Sequence, residues 1–347
     1  MNSCKATIKD VAREAGVSIT TVSHALNNFS DVSEQTRSRI LEVAKRLNYT
    51  PNPAGRSLGG ISKNILSLIL VGTILPKDNS SFVYAFMSGI NHIACKTDYD
   101  FLLMTASNEK QERITFDQLC KAKEISGAIV FGMSTTSIYW NQVAESHVPC
   151  CCLDTYLQNS GSSTVTIDNV AASREITEHL ISQGYRNIGA VCGYDNAEVS
   201  LGRFEGYKQA LQNAGMDLCE DYVVRGNFSA EDTFTVVSEL LDKHPEIDGL
   251  VCSSDDMAYG AYQAALKLGK KVPDDIGITG FDGSLVAEFY RGGITTIVQH
   301  PYEMGMKAAE IVIDMINGKE VPKLTCMSYE LTKRLSTDRQ HELPADH

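Results

Sequence analysis

Ile19, Thr20, Ser23 and His24 sit close together in the stretch "VSITTVSHALNN". On a helix they fall within an arc of about 140°, and Val22, Ala25 and Leu26 take the opposite side. Apart from Ile19, that arc holds short hydrogen-bonding side chains and one imidazole. Nothing on it is bulky, so such a helix can approach another surface closely. Ser and Thr there suit both base edges and phosphate oxygens. A merely solvated face carries Lys and Glu, and neither occurs between residues 17 and 28.

A second set of reactive side chains ends apolar runs: Asp154, Asp168, Asp255 and Asp282. In open α/β sheets, ligands bind at the carboxyl ends of strands. Four carboxylates there suit a polyhydroxyl ligand or a cation, and each singly also suits a helix N-cap. No Walker loop, G-x-S-x-G or H-E-x-x-H occurs, so catalysis is not expected. The ten cysteines form no C-x-x-C pair. No metal and no cofactor are expected. "CCC" at 150–152 reads as small apolar residues of a buried strand, with a redox sensor as the alternative.

The elements around the first set are short helices. In "TIKDVAREAGV", Thr7 is a good N-cap and Ile8, Val11, Ala12 and Ala15 make one apolar face. Gly16 suits a left-handed helix end, and Ser18 then caps the next helix. Two helices joined by so short a turn form a helix-turn-helix. "VSEQTRSRILEVAKRLNY" is a third helix, capped by Ser33, and "TPNPAGRSLGG" has the composition of a linker. Residues 1–60 carry a net charge of +3, in a chain whose total is −12. A basic head on an acidic body points to a polyanion met by the head.

From residue 64 the texture changes. Apolar runs such as "ILSLILVG", "GAIVFG", "VPCCCLD", "NIGAVCG" and "GITGFD" alternate with helical stretches at 82–97, 109–123, 170–183, 200–214, 231–243, 256–268 and 302–317. This alternation implies βαβ units and parallel sheets. No apolar run is long enough to span a membrane and none at the N-terminus reads as a signal peptide, so a cytoplasmic protein is expected.

The ordered run from "ATIKDVAREAGVSITTVSHALN" through "VSEQTRSRILEVAKRLNYTPNPAGRSL" resembles the DNA-binding region of the LacI/GalR family of bacterial transcriptional regulators. The resemblance continues more loosely in "VTIDN", "HLISQGYRNIGAVCG", "RFEGYKQALQNAG", "SSDDMAYGAYQAALKLGKKVPDDIGITGFDG" and "TTIVQHPYEMG". It implies an α/β chain with an all-α helix-turn-helix head at 1–50, a hinge at 51–61 and a body at 62–338. The body would resemble a periplasmic sugar-binding protein, with one lobe at about 62–163 and 289–322 and the other at about 164–288 and 323–338. The tail at 339–347 lacks a leucine heptad, so the implied assembly is a homodimer on a palindromic operator in double-stranded DNA. The implied activity is repression controlled by a small ligand, a sugar, bound between the lobes, with a docking partner protein or cysteine oxidation as the alternative signal.

Carried over to this sequence, the resemblance gives Ile19, Thr20 and His24 the base contacts. Thr7, Ser18, Thr21, Ser23 and Asn27 would position the backbone. Arg56 and Leu58 would act from the hinge, with Leu58 wedged into the minor groove. The ligand would meet Phe82, Asp154, Arg203, Phe228, Asp255 and Asp282. Asp255 departs from the family's more common Asn, which favours a neutral or cationic ligand. Gly55 stands where Ala is common and costs roughly 1 kcal/mol in a helical hinge. Gly55→Ala is therefore expected to tighten operator binding in a titration at fixed salt. Unchanged affinity would count against a helical hinge.

Overall fold

The computed structural model describes residues 6–26, 29, 31–49, 64–72, 80–158, 161–289 and 292–339. Asn27, Gly55, Arg56 and Leu58 lie outside them. The chain divides into two units, Met1–Lys63 and Asn64–His347.

The first unit contains α1 (Ile8–Ala15), α2 (Ile19–Leu26) and α3 (Glu34–Arg46). Asp10 Oδ2 accepts from both the Thr7 amide, at 2.9 Å, and the Thr7 hydroxyl, at 2.7 Å, which ties down the start of α1. Gly16 ends the helix at φ +67°, a conformation that an added Cβ would strain. The Thr21 amide then donates to Ser18 Oγ at 3.0 Å and starts α2 within one turn. Val11, Val22 and Ile40 are fully buried where the three helices meet.

The second unit begins β1 (Ile65–Val71), α4 (Ser80–Lys96), β2 (Asp100–Ala106), α5 (Asn108–Arg113), α6 (Phe116–Ala122), β3 (Gly127–Phe131), α7 (Tyr139–Ala144), β4 (Cys150–Leu153) and β5 (Ser163–Ile167). It continues α8 (Asn169–Ser182), β6 (Ile188–Cys192), α9 (Glu198–Asn213), β7 (Val223–Arg225), α10 (Ala230–Lys243), β8 (Gly249–Cys252), α11 (Asp255–Lys267) and β9 (Gly277–Asp282). It closes with α12 (Leu285–Phe289), β10 (Thr295–Val298), α13 (Pro301–Ile316), β11 (Leu324–Met327) and β12 (Glu330–Thr332). One sheet runs β11-β5-β4-β3-β1-β2 and the other β12-β10-β9-β8-β6-β7. The pairings are parallel except that of β12 with β10.

The chain therefore passes between two lobes three times: after β5, after β10 and after β11. These crossings fall later than the sequence boundaries. Residues 164–167 hydrogen-bond into the first sheet, 295–298 into the second, and 324–327 into the first again. The expected helix at 109–123 is two helices. Thr115 and Gln118 form a reciprocal capping box that starts α6 and ends the preceding turn.

β4 lies between β3 and β5, covered on both faces. Cys151 enters one core, while Cys150 and Cys152 enter the other. Burial pushes all three thiols up, Cys152 to about 12, which suppresses the reactive thiolate. The triplet is core packing, and a redox sensor finds no support there.

Ile40→Ala is expected to cost about 2–5 kcal/mol, more than a small three-helix core can spare. Calorimetry should show the head transition lost, the body transition unmoved and DNA binding abolished.

Candidate functional site

On α2, Ile19 and Thr20 are exposed, and Thr21, Ser23 and His24 are half-buried. Ile19 keeps 45% of its surface exposed at the start of a helix, an apolar group left uncovered. Thr7, Ser18 and Thr21 already make local bonds: Thr7 to Asp10, and Ser18 to Thr21 with hydroxyls 2.8 Å apart. Their hydroxyls hold the helix starts, while Ile19 and Thr20 stand outward.

In the second unit, a cavity of about 290 Å³ lies between the two sheets' carboxyl ends. Phe82, Phe131 and Asp154 line it from the first lobe, and Arg203, Phe228 and Asp282 from the second. Asp255 does not line it. Its carboxylate is 1% exposed and accepts from the Thr296 hydroxyl and the Ser284 amide, both at 2.6 Å. Asp255 joins β10 to the segment after β9, so its carboxylate carries no inference about ligand charge. Asp168 is an N-cap, accepting from the Ala171 amide at 2.9 Å.

Arg203 is 5% exposed. Nε donates to Asn169 Oδ1 at 2.9 Å, and Nη1 donates to the Ser253 carbonyl at 2.5 Å and reaches Asp282 Oδ1 at 3.5 Å. Its guanidinium lies 3.7 Å over the Phe281 ring. Gln299 also donates to Asp282 Oδ1, at 2.8 Å. Asp154 accepts from the Thr166 hydroxyl at 2.7 Å. Burial pushes Asp282, Asp255 and Asp154 above the ordinary carboxylate value, and nearby Arg203 opposes this at Asp282 and Asp154.

Three non-glycine residues at the cavity have positive φ: Asp154 at +58°, Phe228 at +55° and Asp282 at +111°. Such conformations cost of order 1–3 kcal/mol each and collect at ligand sites. The Phe228 ring covers Gly193, where an added Cβ would come within 2.1 Å of it.

Sequence reasoning missed Ser134, Ser137, Asn196 and Glu198, which also line the cavity. The strand-end rule, applied to the residues just beyond β3, could have found Ser134; nothing marked Glu198. Glu198 Oε2 accepts from the Tyr156 amide of the other lobe at 2.5 Å. The Thr135 amide similarly donates to the Asn196 carbonyl, at 2.9 Å. The cavity is thus bridged along one side.

A family model for bacterial regulatory proteins of the lacI family matches residues 7–52, and one for periplasmic binding proteins and the sugar binding domain of the LacI family matches 69–334. The chain belongs to the LacI family. The Escherichia coli K12 transcriptional repressor CytR is 33% identical over 316 residues, 91% of each chain. The ribose operon repressor of Halalkalibacterium halodurans is 30% identical, covering 95% of each. The structure of the transcriptional regulator CelR with cellobiose superposes with a TM-score of 0.73 at 26% identity, over 95% of this chain and 99% of that one. This LacI-family protein is accordingly a ligand-controlled DNA-binding regulator and not an enzyme. Among the described residues, no helix is long and apolar enough to cross a membrane.

The raised carboxyls fix a pH dependence. Between about pH 4, where an unfolded Asp ionises, and their higher folded values, the native body retains protons that the unfolded chain releases. The contribution of Asp255 and Asp282 to stability therefore falls as pH rises through that window toward neutrality. Asp255→Asn, which cannot ionise, should flatten the fall, read as a smaller change in the body's urea midpoint between about pH 5 and about pH 8.

Proposed function

We propose that this protein represses transcription in the cytoplasm as a homodimer on a palindromic operator, and that a neutral sugar in the cavity sets its operator affinity. The observation that carries the ligand class is the buried Arg203 between Asp282 and Asn169, near Asp154, in a cavity that Phe228 also lines. Arg203 is already matched by Asp282. Among the described lining residues, Asp154 and Glu198 are further acids, and no second cation is present to hold a phosphate. Carboxylates accept from sugar hydroxyls, the guanidinium fork donates to them, and an aromatic face takes the sugar's C–H side. A phosphorylated or carboxylated ligand would leave its charge facing acids.

Ile19, Thr20 and His24 meet base edges, Ser23 and Asn27 meet the backbone, and Thr7, Ser18 and Thr21 hold the helices that present them. Arg56 and Leu58 act from the hinge. Phe82 and Phe228 flank the ligand. Sugar binding shifts the balance between two lobe arrangements by binding one better than the other.

The test is a titration of selected operator with purified protein across neutral sugars, nucleosides and sugar phosphates. A neutral sugar is expected to change operator affinity, and Asp154→Ala to weaken that sugar about 10- to 100-fold, as for a lost hydrogen bond to a charged group. Operator affinity without sugar should stay as in the unaltered protein. Response to a sugar phosphate alone would overturn the ligand class.

A further inference from the structure

One contact on α2 joins its last turn to the loop that follows it. His24 lies in the last turn of α2, and its Nδ1 is 2.6 Å from Asp31 Oδ2. An ionised carboxylate only accepts, so the proton of this bond sits on Nδ1. The Phe29 ring packs against the imidazole with centroids 4.9 Å apart. Phe29 is itself held: its amide donates to the His24 carbonyl at 3.0 Å, and Arg37 of α3 donates from Nη2 to its carbonyl at 2.5 Å. A line of contacts thus runs from α3 through Phe29 to the His24 ring, and Asp31 closes it. Among the described residues, no hydrogen bond engages His24 Nε2.

The placement is costly for a DNA-binding surface. A carboxylate beside the reading helix opposes the phosphates that supply most non-specific affinity. An exposed pair, with the two side chains 37% and 58% exposed, adds little to folding. What the pair does supply is orientation. A histidine has two distinct nitrogens, and the bond made by one decides what the other presents.

We propose that Asp31 is a positioning residue for operator reading: it holds His24 with Nδ1 protonated and engaged, so that Nε2 alone meets the base edge. The proposal rests on the placement of His24 on the reading face made above. A neutral ring held this way offers a lone pair to the amino group of cytosine or adenine in the major groove. Without Asp31, both neutral tautomers and a turned ring become available, and Nε2–H can equally donate to a guanine acceptor. Discrimination at that base pair should then broaden.

The test measures the full-length protein on its selected operator and all single-base variants of one half-site, at fixed salt, for the unaltered chain, Asp31→Ala, His24→Ala and the double variant. Asp31→Ala is expected to lower discrimination about fivefold at the same base pair that His24→Ala affects, and to change nothing further in the His24→Ala background. Equal tightening on every sequence, including non-specific DNA, would mean that only a repelling charge was removed, and would overturn the proposal. So would a specificity change that persists in the His24→Ala background. If His24→Ala leaves all preferences intact, the placement of His24 fails and the proposal with it. Spectra of the full-length protein labelled with 15N-histidine, without DNA, give a second readout. His24 should show a ring protonated on Nδ1 alone in the unaltered chain and a tautomer mixture in Asp31→Ala; a ring carrying a proton on Nε2 in the unaltered chain, singly or doubly protonated, would overturn the proposal.

Discussion

Everything at the cavity depends on burying the Arg203 guanidinium. A charge at 5% exposure is tolerated only when its donors are met and a counter-charge is near. The chain meets that requirement from separate segments: Asn169 at the start of α8, the Ser253 carbonyl after β8, and Asp282 at the end of β9, with the Phe281 ring under the guanidinium. Several strand–helix junctions are drawn to one point as a result. Asn169 extends the arrangement across the first lobe crossing: its amide donates to Thr166 Oγ1 at 3.4 Å, and that hydroxyl donates to Asp154. Asp154 and Arg203, from different lobes, are therefore coupled through a hydrogen-bond relay at the place where the lobes join. Lysine could not replace Arg203, because one ammonium cannot make these planar, divergent bonds.

The head obeys a different constraint. Its core is small, and short polar side chains do the work that packing does elsewhere. Thr7, Ser18 and Ser33 satisfy helix starts, which leaves the exposed side of α2 free of structural duty at Ile19 and Thr20. The charge division supports this, with a net +3 on residues 1–60 in a chain of −12. Polyanion attraction is confined to the head, and the acidic body discourages non-specific adhesion.

Much of the fold was legible because its signals are local. Apolar runs marked β1, β3, β4 and β9, and Gly16 with Ser18 marked the turn between α1 and α2. The split of 109–123 was written in Thr115-x-x-Gln118 but masked by continuous helical composition. The lobe boundaries were misplaced because β5, β10 and β11 are short strands whose sheet is chosen by pairing with distant segments, a property no local pattern holds. The site divides the same way. Asp154, Arg203 and Asp282 follow strand ends and family motifs, whereas Asp255, two residues from Ser253, turned out to fasten β10 rather than face the cavity. Glu198 and Asp31 carried no signal at all. Each acquires its role from a contact with a residue remote in sequence or across a loop.

The most direct measurement is selection of bound duplexes from a random pool by the purified full-length protein at one stated moderate salt concentration. Two inverted half-sites around a flexible or CG centre are expected of the proposed homodimer, because a twofold dimer would read the same edge pattern twice and the proposed hinge residues would meet the centre. An unenriched pool, or enrichment of a single asymmetric site, would contradict a dimeric repressor that reads DNA through α2.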